Sequence, residues 1–187
     1  MNNTGHLPAT LISREYQRIE QKVVELYRKL NIRSFPIKPH EIAEKLGYSL
    51  IPYSRLTKKK RDTLRTIGAG ISVRDKNGKY RIFYEDIDTY ERQRFTIMHE
   101  IGHIQLGHRE DSELAEKCAN YYAPYALAPS PIIGLYKCED FMEVAIRFGM
   151  SQEGGMYAFE RFSRWRNIPV ALKPHELELN RLFTKKK

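Results

Sequence analysis

Residues 94–103, Arg-Phe-Thr-Ile-Met-His-Glu-Ile-Gly-His, constrain this chain more than any other stretch. Phe95, Met98 and Ile101 recur at core-facing spacing, which predicts a helix with one apolar wall. On such a helix His99 and His103 share a face, about 6 Å apart along the axis, and can offer two imidazoles to one cation. Glu100 is turned about 100° from His99, which suits it to a water on that cation rather than to the cation itself. Gly102, between the histidines, leaves room for a close neighbour. His-Glu-x-x-His on a helix is a zinc-binding pattern in which the glutamate serves as base.

A catalytic zinc takes three protein ligands and keeps one place for water, so a third donor is required. Glu110, Asp111, Glu113, Glu116 and Cys118 follow closely, with His108 an outlier. His108 lies past Gly107 and reads as a polar residue beyond the helix end. Glu110, Asp111 and Glu113 open the next helix, where acids complement the dipole. Glu116 lies inside that helix, flanked by Ala115 and Ala119, which are small enough for close packing against the histidine helix. It is the favoured ligand. Asn120, one turn on, shares its face and can hold a ligating imidazole through the other ring nitrogen. Cys118 is about 200° around from Glu116 and reads as an inert thiol.

The rest of the chain predicts an α+β fold. Residues 1–13 read as a lead-in. An amphipathic helix over Arg14–Leu30 follows, with Tyr16, Ile19, Val23, Leu26 and Leu30 as its stripe. Pro39 to Leu46 forms a short helix closed by Gly47, and Tyr48 to Tyr53 a short strand. Lys58-Lys59-Lys60-Arg61 reads as a solvated loop. Thr66 to Val73 alternates apolar and polar residues as a strand does, and Asn77-Gly78 turns it into a partner over Lys79–Tyr84. These give a small antiparallel sheet ahead of a histidine helix placed at Thr89–Leu106. Asp111 or Ser112 caps the next helix, which Pro124 should kink or stop.

The 187 residues carry a formal net charge of +9, part of it from that basic run and the Lys185–Lys187 tail. No apolar run reaches membrane-spanning length, no secretion signal is evident, and two cysteines, Cys118 and Cys138, make no disulfide framework. A cytoplasmic protein that does not act on membranes is expected.

His99-Glu100-Ile101-Gly102-His103, then Glu116-x-x-Ala119-Asn120-x-Tyr122-Ala123 and Ala126-Leu127-Ala128-Pro129, together resemble the ImmA/IrrE family of zinc metallopeptidases. Asn31–Ile37 and the helix carrying Ile42-Ala43 and Leu46-Gly47 are similar to its N-terminal region. The resemblance covers residues 14–131 well. It implies a zincin-like core with one zinc ion on His99, His103 and Glu116, Glu100 as catalytic base, and a protein substrate. In that family the substrates are helix-turn-helix repressors of mobile elements, phages or stress responses. Cys118, Tyr122 and Pro124 depart from the family pattern without removing a ligand.

Two segments are expected: a metallopeptidase core over 1–131 and a helical subdomain over 132–187. In the latter, Glu139–Phe148, a turn at Gly149–Ser151 and Gln152–Trp165 have helix-turn-helix spacing. Gly154-Gly155 weaken the second helix by about 2 kcal/mol against alanine, and Gly155 stands where an apolar residue should lock the pair. Packing beside the core, with Met156, Phe159 and Phe162 as the buried stripe and Trp165 at its margin, is therefore favoured over DNA reading through Arg161, Arg164 and Arg166. His6, His40 and His175 receive no role. The rival readings are a DNA-binding regulator and a scaffold that binds a repressor without cutting it. For hydrolysis a second oxyanion donor, tyrosine or arginine, is expected, and the sheet edge within 66–84 can take an extended peptide.

Overall fold

The computed structural model describes residues 9–110 and 112–184, with the side chains of 9–13 outside it. Most of the expected lead-in (with His6), Asp111 and the Lys185–Lys187 tail lie outside the described residues. Helix α1 (Ala9–Lys29) begins earlier than expected and takes in the last residues of that lead-in. It buries Ile19, Val23, Leu26 and Tyr27, and the Tyr27 hydroxyl donates to the Ala126 carbonyl. Helix α2 (Pro39–Lys45) starts on a proline, whose missing N–H costs nothing there, and Gly47 follows it at φ 74°.

The chain then forms strand β1 (Ser49–Pro52) and helix α3 (Lys58–Ile67). The basic run is thus the first turn of a helix rather than a loop. No α3 side chain is buried, and its only apolar residues, Leu64 and Ile67, give too short a stripe for the helix to be recognised. Because α3 extends to Ile67, strand β2 begins only at Gly70 (Gly70–Arg74) and hairpins with β3 (Tyr80–Tyr84). The hairpin is antiparallel, with Ser72 opposite Ile82. The sheet as a whole is mixed, in the order β1-β3-β2, because β1 pairs parallel with β3 and Leu50 stands opposite Ile82. A parallel pair needs a crossover connection, and the segment carrying α3 and β2 provides it.

Helices α4 (Tyr90–Leu106) and α5 (Glu113–Leu127) form the most extensive helix contact of the molecule. Pro124 does not end α5, which continues one further turn to Leu127. Helices α6 (Ser130–Leu135), α7 (Phe141–Phe148), α8 (Gln152–Arg166) and α9 (Pro174–Thr184) complete the chain. Their Ile132, Val144, Phe148, Phe162 and Leu179 join one buried cluster with Ile19, Ile97, Ile101 and Tyr122. Arg94 of α4 is buried and ties three segments together: Nη1 donates to the Phe148 carbonyl at 3.0 Å and Nη2 to that of Ile37 at 2.5 Å.

The buried face of α8 is the expected one in part: Phe162 is buried, and Phe159 and Trp165 pack half-buried against the core, but Met156 is 55% exposed and Gly155 and Ala158 face inward instead. A Cβ on Gly155 would lie 2.6 Å from the Phe141 carbonyl oxygen and 2.8 Å from Ala145 Cβ. The glycine therefore locks α7 and α8 by absence of bulk. Arg161 is also turned inward, its Nη2 donating to the carbonyls of Ala128 (2.6 Å) and Pro124 (3.2 Å), so it is withdrawn from any phosphate.

No helix among the described residues is long and apolar enough to cross a membrane.

Candidate metal centre

Local chemistry fixes both ends of α4. The Thr89 hydroxyl accepts from the Arg92 amide, an N-cap that satisfies one orphan donor. At the other end Gly107 adopts φ 74°. The Gly107 amide donates to Ile104 and the His108 amide to His103, at 3.1 and 3.0 Å. That pair of bonds is a Schellman motif. In α5, Ser112 caps by accepting from the Ala115 amide, which leaves Glu116 on the turn that faces α4. Gly102 sets how closely the two helices meet, since a Cβ there would stand 2.9 Å from Cδ1 of the buried Tyr122 ring. The room expected beside Gly102 is filled by that ring.

Three donors converge across this contact. His99 Nε2 and His103 Nε2 are 3.0 Å apart. Glu116 presents Oε1 at 3.1 Å from His103 Nε2 and Oε2 at 3.5 Å from His99 Nε2. The imidazoles are mostly buried and the carboxylate half exposed. Burial first, then the neighbouring His103, pushes the His99 pKa down to about 4. Its ring is neutral at pH 7, with a lone pair to give. Two imidazoles and a carboxylate within 4.8 Å of one another form the N₂O set that zinc accepts with one position left over. The donor set fits the cation.

Glu100 is buried on the same helix and borders the same cleft, a hollow of about 440 Å³ also lined by Gly68, Gly70, Ser72, Arg92 and Asn120. Strand β2 passes so close to it that a Cβ on Gly70 would lie 2.5 Å from Thr96 Cγ2 and 3.1 Å from Glu100 Oε1. Only glycine lets the sheet edge run against the acid. Asn120 lies beside His99, and hydrogen bonding from it favours the charged ring. His99 Nδ1 itself is buried with no well-aligned partner among the described residues.

The other candidate ligands lie elsewhere. Glu113 is solvent-exposed and pairs with Lys117 at 2.5 Å, Glu110 is exposed, and Cys118 is a buried free thiol. His108 is a correction. It is not merely a polar residue beyond the helix, because its Nδ1 lies 3.1 Å from Nδ1 of His103. The Schellman motif brings the second residue past the helix onto the fourth from its end, and here those residues are His108 and His103. Gly107 was the signal in the sequence that could have found this pair.

A second group of possible ligands, Glu20, His175 and Glu176, is buried away from the cleft. Its carboxylates are already occupied. Glu20 accepts from Tyr121 (2.7 Å) and His175 (3.0 Å), and Glu176 from Trp165 and the Lys173 amide (both 2.7 Å). That is the chemistry of an internal polar network fastening α9 to α1, α5 and α8.

Set against known proteins, residues 62–153 match the family model of the IrrE N-terminal-like domain, Peptidase M78. No curated protein matches the chain in sequence. The matched segment holds β2, β3, α4 and α5, and with them every residue of the three-donor cluster and Glu100. Over residues 62–153 the chain carries the domain of the ImmA/IrrE family of metallopeptidases.

Proposed function

We propose that this protein is a zinc-dependent endopeptidase that cuts another protein in the cytoplasm, its substrate being a helix-turn-helix repressor, as in a mobile element. The observation that carries the peptidase reading is the convergence of His99, His103 and Glu116 beside a buried Glu100 on the wall of an open cleft. The choice of repressor rests on the resemblance of the motif helices to the ImmA/IrrE pattern. The cytoplasmic setting is supported by Cys118 and Cys138, both free and buried.

His99, His103 and Glu116 would hold the ion. Bound there, zinc supplies a Lewis acid that polarises the scissile carbonyl and makes water a nucleophile near neutral pH. Glu100 takes the proton from the attacking water and passes it to the departing amine. His108 fixes the ring of His103: with Nε2 reserved for the cation, Nδ1 carries the hydrogen and donates it to His108 Nδ1. Burial, followed by His103, lowers the His108 pKa and keeps it a neutral acceptor. Arg92 is the guanidinium among the described residues lining the cleft and is our candidate for the second oxyanion donor. The outer edge of β2 is not taken up by β3, so an extended peptide can add there as a fourth strand.

The test is to mix the protein with repressors encoded beside its gene, with and without a chelator. Specific fragments should form only without chelator, and Glu100→Gln should keep its zinc while making none. Cleavage by the Gln variant would remove Glu100 from the mechanism.

A further inference from the structure

A larger hollow, about 610 Å³, adjoins the metal cleft. Its walls come from three places: the start of α4, the turn of α5 around Pro124 and Leu127, and the α7–α8 junction with Met150 and Tyr157. Arg92, Phe95 and Asn120 line both hollows, so the two adjoin across these side chains. The Phe95 ring centre is 6.2 Å from that of His99. The wall they share is therefore within one side chain's reach of a metal ligand.

We propose that this hollow is the subsite that selects the substrate, and that it takes a large apolar side chain, an aromatic one best, next to the scissile bond. The inference rests on the peptidase reading. Phe95, Pro124, Leu127, Met150 and Tyr157 supply an apolar lining in which aromatic edges and a thioether meet. The volume lies within the range of about 300–1,000 Å³ usual for binding pockets. Of the two guanidiniums at its walls, Arg161 is held by the Pro124 and Ala128 carbonyls, and Arg92, over the Phe95 ring at 5.5 Å, belongs to the wall shared with the metal cleft. Glu91 and Glu153 at the rim further disfavour an acidic occupant. The C-terminal helices thereby acquire a task in the reaction, because α8 closes the pocket that a polypeptide must fill. Arg161 holds that wall in place by joining α8 to the last turn of α5.

Binding to the zinc-loaded full chain, measured by calorimetry, tests this without a known substrate. The probes are acetohydroxamic acid, N-hydroxy-3-phenylpropanamide and N-hydroxysuccinamic acid. They share the chelating head and carry a methyl, a phenethyl or a carboxyethyl arm. The phenethyl compound should bind at least about tenfold tighter than the methyl compound, a difference of about 1.4 kcal/mol. Gly154→Leu, which projects from the first turn of α8 into the hollow, should erase that ratio while acetohydroxamate binding stays unchanged. Tyr157→Ala should reduce it. Equal binding of phenethyl and methyl probes, preference for the carboxylate, or a ratio untouched by both substitutions would overturn the subsite. Failure of acetohydroxamate to bind a protein shown to carry zinc would instead overturn the peptidase reading, and the subsite with it.

Discussion

Replacing Gly102 by alanine tests whether one close contact sets the geometry of the metal centre. In an exposed helix the change would stabilise by about 1 kcal/mol. Here the new methyl would stand 2.9, 3.0 and 3.1 Å from three carbons of Tyr122, well inside ordinary contact. Tyr122 is fully buried and has nowhere to retreat, so α4 and α5 must part by several tenths of an ångström. Overpacking of this kind costs about 1–3 kcal/mol. The net effect is a loss of up to about 2 kcal/mol for the metal-free protein, measurable by urea unfolding in chelator. Zinc affinity should suffer more, because His99 and His103 sit on one helix and Glu116 on the other, and metal distances tolerate only about ±0.2 Å. Chelator competition should show a loss of about tenfold or more. An alanine variant about 1 kcal/mol more stable than the parent, with unchanged zinc affinity, would refute the reasoning.

Glu116→Ala removes the ligand from α5 and should leave the purified protein substoichiometric in zinc by elemental analysis; full occupancy would move the third ligand elsewhere. His108→Ala should weaken zinc binding about 10–100-fold, and His108→Asn, which restores an acceptor, should recover part of it. The nitrogen-detected tautomer of His103 should shift in the alanine variant alone. At Glu20 burial pushes the carboxyl pKa up, but hydrogen bonds from His175 and Tyr121 and the charge of Lys173 outweigh it and hold the pKa below its usual 4.5. Its contribution to stability is therefore present above about pH 4.5 and lost as the pH falls through the lower folded-state value. Urea unfolding should find Glu20→Gln less stable than the parent at pH 7, with the gap narrowing below pH 4.5; a constant gap would refute the linkage.

How much was legible in the sequence followed from how local the signal was. The α4 and α5 helices declare themselves by periodicity and caps, and His99, His103 and Glu116 could be nominated because helical spacing fixes which side chains share a face. The hairpin was legible through Asn77-Gly78. By contrast, α3 has only Leu64 and Ile67 as apolar residues, both in its second half, so its Lys58–Arg61 start looked like a loop. The partner of β1 is chosen by tertiary packing, and nothing in Ser49–Pro52 announces a parallel neighbour. On α8 Phe159 and Phe162 were legible, but Met156 was not the third member of the stripe, because helices pressed together select for the smallest residues and not the most apolar. Arg161 read as a surface charge, yet it is spent on main-chain oxygens at the end of α5.

Pro124 has a further consequence. Proline brings no amide hydrogen, so the carbonyl four residues earlier is denied its rung in the helical ladder, and that carbonyl belongs to Asn120. The helix bearing Glu116 thus reaches the wall shared by the two hollows with the ordinary partner of one main-chain oxygen removed. An interruption that would merely weaken a helix elsewhere falls here on the residue that borders both hollows.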